Sequence, residues 1–169
     1  MNDFYHALTY VHQRLYIPNQ LLIEDIQEET QNADYGAGIF QLNAKSIRFR
    51  VAKITPRKIG QFVAFWEKDE NHKNQPFSDA TATDLLVINT FTTDNRWGQF
   101  VFPKEVLLQQ HILQTATIKG KMAIRVYPHW EKPTSKQAIY TQQWQLNYFV
   151  EINDQDPITI SKLLKLYLC

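Results

Sequence analysis

The stretch SIRFRVAKITPRKIGQFVAFW, residues 46–66, decides how the chain folds. From Ile47 onward apolar and basic residues alternate: Ile47, Phe49 and Val51 share one face, and Arg48, Arg50 and Ala52 share the other. A period of two is the pattern of a strand with one face buried. One step further, Lys53 lands on the apolar face and Ile54 opposite it. A bulge would return Ile54 to the apolar face and turn Lys53 outward, beside Arg48 and Arg50. Without one, the lysine points inward and needs an acid from segment 24–34. Pro56 follows closely, so the strand is near its end, where a broken ladder costs little. A buried, unpaired ammonium costs several kcal/mol. The reading that follows is a bulged or strand-terminal Lys53 whose ammonium reaches solvent.

On either side the same patterns predict further elements. Strands are expected over 36–42, 46–54 and 60–67, then over 84–92 with a hairpin partner at 96–102, and over 121–127. Segment 60–67 is apolar on both faces, which predicts a central strand. In 121–127, Met122, Ile124 and Val126 point inward. A helix over 3–16 follows from Phe4, Leu8, Val11 and Leu15, which lie on one stripe. Another begins at Pro103 and runs to about residue 112. A third runs from 136 to about 149, capped by Ser135 and carrying Tyr140, Trp144 and Tyr148. The last, 157–168, opens after Asp156-Pro157 with Ile160, Leu163, Leu164 and Tyr167 on one face. The acidic segment 24–34 reads as a loop or short helix, and the polar segment 68–82 as a surface loop. The fold class is therefore α+β, a single domain over 1–169. It has a central, mostly antiparallel sheet of about six strands with helices at both chain ends, and a restriction-endonuclease-like arrangement is compatible with it.

A chain of 169 residues, 44% of them hydrophobic, supplies one substantial core and too little for two. Eighteen Lys and Arg against seventeen Asp and Glu leave overall charge silent about nucleic acid, so only a local patch can speak for it. The single cysteine, Cys169, excludes an internal disulfide and a cysteine metal cage. No apolar run approaches the ~20 residues that span a bilayer, and the N-terminal segment lacks the apolar centre of a signal peptide. A soluble, cytoplasmic protein with no membrane partner is expected, and no protein partner can be named.

The glycines form neither a phosphate loop nor a dinucleotide fingerprint, and the five histidines are scattered. No catalytic residue, metal site or cofactor is assigned. Glu24, Asp25, Glu28, Glu29 and Asp34 read as a solvated acidic face, and Asp84 as a cap at the head of its strand. The basic residues say more. Arg48, Arg50 and Lys53 belong to one strand, with Arg57 and Lys58 in the adjoining turn; Lys121 and Arg125 belong to another strand, with Trp130 beyond. Phosphates need cations and unpaired bases need π-faces, so this set predicts an exposed face for single-stranded DNA or RNA. A metal-dependent nuclease, or its inactive descendant, is the second class. Such sites place an acid two residues before the lysine, and here that position is Val51; no Asp/Glu-x-Lys occurs in the chain. A small-ligand or protein-binding accessory is the third. If the arginines are neutralised by the 24–29 acids, the third class gains.

Three blocks, FRVAKITPRKIGQFV (49–63), GQFVFPKEVLLQQHIL (98–113) and GKMAIRVYPHWEKPTSKQAIYTQQWQLNYF (120–149), resemble the MepB family of bacterial proteins. The resemblance runs from about residue 33 to 152. Arg57 and His129, both in turns, depart from its pattern. It implies a cytoplasmic bacterial protein, encoded in some genomes beside a multidrug efflux pump and its repressor. It carries no reaction and no catalytic residue.

Overall fold

Between Val51 and Lys53 the chain leaves one sheet and enters another, which answers the question of the lysine. The computed structural model describes residues 2–153 and 156–168; Cys169 lies outside them. In chain order the elements are α1 (Phe4–Val11), which continues as a π-helical turn (His12–Tyr16), β1 (Ile23–Glu28), β2 (Gly38–Leu42), β3 (Lys45–Val51), β4 (Lys53–Ile54) and β5 (Gln61–Ala64). Then come β6 (Glu67–Lys68), β7 (Asn74–Gln75), β8 (Leu85–Phe91), β9 (Trp97–Pro103), α2 (Lys104–Gln109), β10 (Ala123–Val126), α3 (Lys136–Gln145), β11 (Phe149–Glu151) and α4 (Pro157–Leu168).

Six strands form the main sheet in the order β1-β2-β3-β8-β9-β11. Every pairing is antiparallel except β3 with β8, which run parallel with Ile47 opposite Leu85. A second sheet has the order β10-β5-β4, so segment 60–67 does supply a central strand, though of the smaller sheet. The fold is α+β with a six-stranded, mostly antiparallel sheet and helices at both ends, as the sequence predicts. None of the described helices is long and apolar enough to cross a membrane.

The main sheet is covered on both faces. Phe4, Leu8, Val11 and Leu15 of the N-terminal helix and Leu163 and Tyr167 of α4 pack on Ile47, Phe49, Val51, Val87 and Val101. On the other face Leu86, Ile88, Phe100 and Phe102 meet Val63, Ile124 and Val126 of the small sheet, with Phe65, Phe77, Val106 and Leu107. Each such fully buried side chain contributes roughly 1.5–3 kcal/mol of hydrophobic stabilisation. The first core also holds a polar chain. Tyr167 donates to Gln99 Oε1 at 2.6 Å and shares a hydrogen bond of 2.9 Å with Tyr16, while Gln99 and Trp97 both donate to Asn89 Oδ1.

Four expectations are corrected here. Segment 24–34 is not a loop or helix at its start but the edge strand β1. Its alternation is masked by a register shift between Glu24 and Gln27, with Asp25 at φ 53°, and its acids suit an edge that must not pair further. The third helix stops at Gln145, and Phe149–Glu151 is a second edge strand rather than helix. Met122 is 42% exposed, because β10 begins one residue later. The 68–82 loop begins within a two-residue hairpin, β6 with β7.

Candidate functional site

Arg48 and Arg50 do not face solvent. They project from β3 toward the small sheet, and Arg50 is 0% exposed. This overturns the predicted outer basic face. The second layer that buries them is invisible to a period-two reading, which separates the two faces of a strand and does not say what covers each. Glu29, just past the end of β1, neutralises them. It accepts from Arg50 Nη1 at 2.8 Å and from Arg48 Nε at 3.2 Å. The Arg50 guanidinium also donates to the carbonyls of Phe49 and Ala64 and to Asn32 Oδ1. Arg48 lies 3.9 Å over the Phe77 ring. Burial pulls the Arg50 pKa down to about 10, against the opposing pull of Glu29, so the guanidinium remains charged at neutral pH. Neither arginine is available to a ligand without breaking this arrangement.

Lys53 is half-buried on the outer face of the small sheet, with its ammonium 4.6 Å from the Tyr35 ring centroid. It takes part in no ion pair among the described residues. The strand does end where Lys53 was expected to escape the core; the means is a change of sheet rather than a bulge. Register then makes one row across that face. Lys53 and Arg125 both pair with Phe62, one from each neighbouring strand. Tyr35 stands edge-on to Phe62 with ring centroids 6.0 Å apart. Burial, and then the charge of Asp34, raise the Tyr35 hydroxyl pKa, so it is a neutral phenol at neutral pH.

Arg125 is the hinge between this row and a cleft. Its Nη1 donates to Thr55 Oγ1 at 2.9 Å and to the carbonyls of Ile59 and Gly60. A guanidinium has five N–H donors, so the Nε and Nη2 donors are left without partners among the described residues. The cleft opens between β10 and α3, with a volume of about 430 Å³. Lys58, Lys121 and Arg125 line it, together with the rings of Tyr127, Tyr140 and Trp144. Lys58 and Lys121 are exposed.

The cleft wall is held by amides. Gln145, the one buried residue of α3, accepts from the Tyr127 N–H at 2.9 Å and donates to the Arg125 carbonyl at 3.0 Å. Gln142 donates to the carbonyls of Pro128 and Glu131. Ser135 caps α3 by accepting from the Ala138 N–H, as its position in the sequence predicts. Gly60, at φ 87°, lies under the Tyr127 ring, where an added Cβ would come within 2.7 Å.

The remaining residues of the predicted set divide. Arg57 is exposed in the turn. Trp130 does not line the cleft; it packs on the Arg96 guanidinium at 4.7 Å and on Phe149. Arg96 in turn donates to Glu151 at 2.7 Å, and that hydrogen bond holds the Glu151 carboxyl below its ordinary pKa. His129 joins the same pair at 3.0 Å from Glu151. Asp84 accepts from the Ser46 N–H and hydroxyl, which makes it a cap. Sequence reasoning missed Tyr35, Phe62 and Gln145. Phe62 becomes visible only once β4 and β10 are known to flank β5. No three His, Cys, Asp or Glu side chains among the described residues are grouped to hold a metal ion.

Comparison with known proteins comes from two sides. Residues 29–151 match a family model described as MepB-like. Among solved structures, the crystal structure of MepB is similar at 40% sequence identity and a TM-score of 0.77, over 87% of this chain and 97% of that one. No curated protein matches the chain.

Proposed function

For this chain, which belongs to the MepB-like family, we propose a non-catalytic role in the bacterial cytoplasm: binding single-stranded nucleic acid in the cleft between β10 and α3. The observation that carries it is the convergence of Lys58, Lys121 and Arg125 with Tyr127, Tyr140 and Trp144 around one opening of about 430 Å³. Cations with no carboxylate partner among the described residues meet phosphates, and aromatic faces stack on bases exposed only in a single strand. Arg125 fits the phosphate role best, because its Nη1 is anchored by the 55–60 turn and its other donors have no hydrogen-bond partner among the described residues. With Arg48 and Arg50 withdrawn by Glu29, the cleft replaces the predicted strand face as the contact surface.

The test is binding of labelled single-stranded DNA and RNA against duplexes, over a range of salt. The parent binds single strands, with affinity falling as salt rises through counterion release. Lys58→Ala with Lys121→Ala weakens binding to every sequence and lowers the salt slope by about two. Absence of binding at low salt, or a double variant that binds like the parent, sinks the proposal. The size of the cleft also lies within the ~300–1,000 Å³ of small-molecule sites. Neutralisation of the two arginines favours that second reading, a small aromatic anion. It predicts saturation by a mononucleotide with no gain from a longer strand.

A further inference from the structure

We propose that the outer face of the small sheet is a second base-stacking subsite, in which Phe62 and Tyr35 receive a nucleotide adjacent to the one seated in the cleft. This rests on the nucleic-acid reading above. Register gives the argument. Arg125 and Lys53 flank Phe62 on neighbouring strands, so cation, ring and cation lie in one row. Inter-strand spacing of ~4.8 Å makes that row about 10 Å long. It begins at Arg125, which also lines the cleft. The two surfaces are therefore continuous through one guanidinium.

The row is open enough to be used. Lys53, Phe62, Ala64, Ala123 and Arg125 are all half-buried, whereas Gln61, Val63, Ile124 and Val126, which alternate with them, are buried against the main sheet. Ala64 pairs with Ala123 beside the row, so the side chains next to Phe62 on that side are small. Tyr35 meets Phe62 at an interplanar angle of 62°, edge to face. The Arg125 guanidinium lies over the Phe62 ring, 5.8 Å from its centroid, so this ring already presents its π-face to a cation of the row. Lys53 sits over Tyr35 at 4.6 Å, within reach of a phosphate that follows a base on Phe62. No carboxylate pairs with either Lys53 or Arg125 among the described residues.

The experiment titrates the full chain with oligothymidylates from the mononucleotide up to roughly 16 nucleotides, comparing the parent with Phe62→Ala, Phe62→Leu and Phe62→Tyr. For the parent, affinity rises once the oligomer is long enough to leave the cleft. Phe62→Leu keeps the apolar volume and removes the π-face; it binds the mononucleotide as the parent does and loses roughly tenfold for longer oligomers. Phe62→Tyr binds all lengths like the parent. Phe62→Ala follows Phe62→Leu, and the leucine variant decides the matter if the alanine one fails to fold. Equal binding of every length by the parent and Phe62→Leu overturns the second subsite and leaves the cleft in place. A parent that binds no oligomer, or binds the mononucleotide with no gain from length, overturns both the cleft reading and this one.

Discussion

Glu29 and Arg50 meet at 2.8 Å beneath the small sheet, one carboxylate answering two guanidiniums that the strand pattern had assigned to solvent. Removing one partner from a buried pair strands the other charge, which costs more than the pair itself contributes. Glu29→Gln keeps an acceptor and loses the charge, so two arginines then face each other uncompensated. We expect a stability loss of about 3 kcal/mol, read from the denaturant midpoint. The same variant leaves affinity at the cleft unchanged in the temperature range where it is folded. A loss under about 0.5 kcal/mol would show that Asn32 and the Phe49 and Ala64 carbonyls suffice to hold Arg50.

How much of this was legible turns on single residues. Phe4, Leu8, Val11 and Leu15 have only one face to bury, and the helix they predict is there. Ile47–Val51 alternates and is a strand; the error lay in what covers Arg48 and Arg50, since β5 and Phe77, later in the chain, fold back over them. Lys53 broke the alternation because the chain changes partners at Ala52, a tertiary event with no local mark beyond the break itself. The cleft was half legible. Lys58, Lys121 and Arg125 stood out by charge, whereas Gln145 in its wall, and Phe62 on the sheet face beside it, read as ordinary core or surface until pairing placed them.

Gly38 is packed against Phe4, where an added Cβ would come within 2.2 Å of the ring. The ring is itself wedged between α1 and the sheet, so neither can yield cheaply. Gly38→Ala is expected to cost about 2 kcal/mol by overpacking. Adding Phe4→Leu to it should recover part of that loss, because the smaller side chain clears the clash. Additive losses in the double variant would place the strain elsewhere.

Tyr16 and Tyr167 share a buried hydrogen bond, and burial raises both hydroxyls above their ordinary pKa of 10.0. The folded chain then holds protons that the unfolded chain releases. The stability these groups contribute is complete below pH 10 and is lost as pH rises above it. Arg50, lowered by burial to about 10, acts in the opposite sense over the range above that value. Alkaline titration followed by phenolate absorbance should therefore show two of the eight tyrosines ionising only with cooperative unfolding. Tyr167→Phe lowers stability at neutral pH, since Gln99 loses a donor, and flattens the alkaline slope. A parent in which all eight tyrosines ionise before tertiary structure is lost would contradict this.

Gln145 bridges the backbone at the end of β10 at two points, the Tyr127 N–H just past the strand and the Arg125 carbonyl within it, and is 1% exposed. Those two groups lie at the edge of the small sheet, where no further strand among the described residues satisfies them. Gln145→Ala leaves a part-buried donor and a part-buried acceptor without this partner, at a cost of about 1 kcal/mol. Gln145→Glu keeps the acceptor for Tyr127 and loses the donor to Arg125, so it should retain part of the stability. The consequence for the cleft is separate from the consequence for the fold. Tyr140 and Trp144 are carried on α3, while Lys121 and Arg125 are on or beside β10, so the two halves of the cleft are registered through this amide together with that of Gln142. Amide hydrogen exchange should speed up in α3 and at Tyr127 in the alanine variant while the main sheet stays protected. Single-strand affinity should fall by roughly tenfold under conditions where the variant remains folded, because the stacking wall and the cations no longer hold one geometry. Unchanged exchange in α3 would mean that Gln142, through the Pro128 and Glu131 carbonyls, anchors the helix without it.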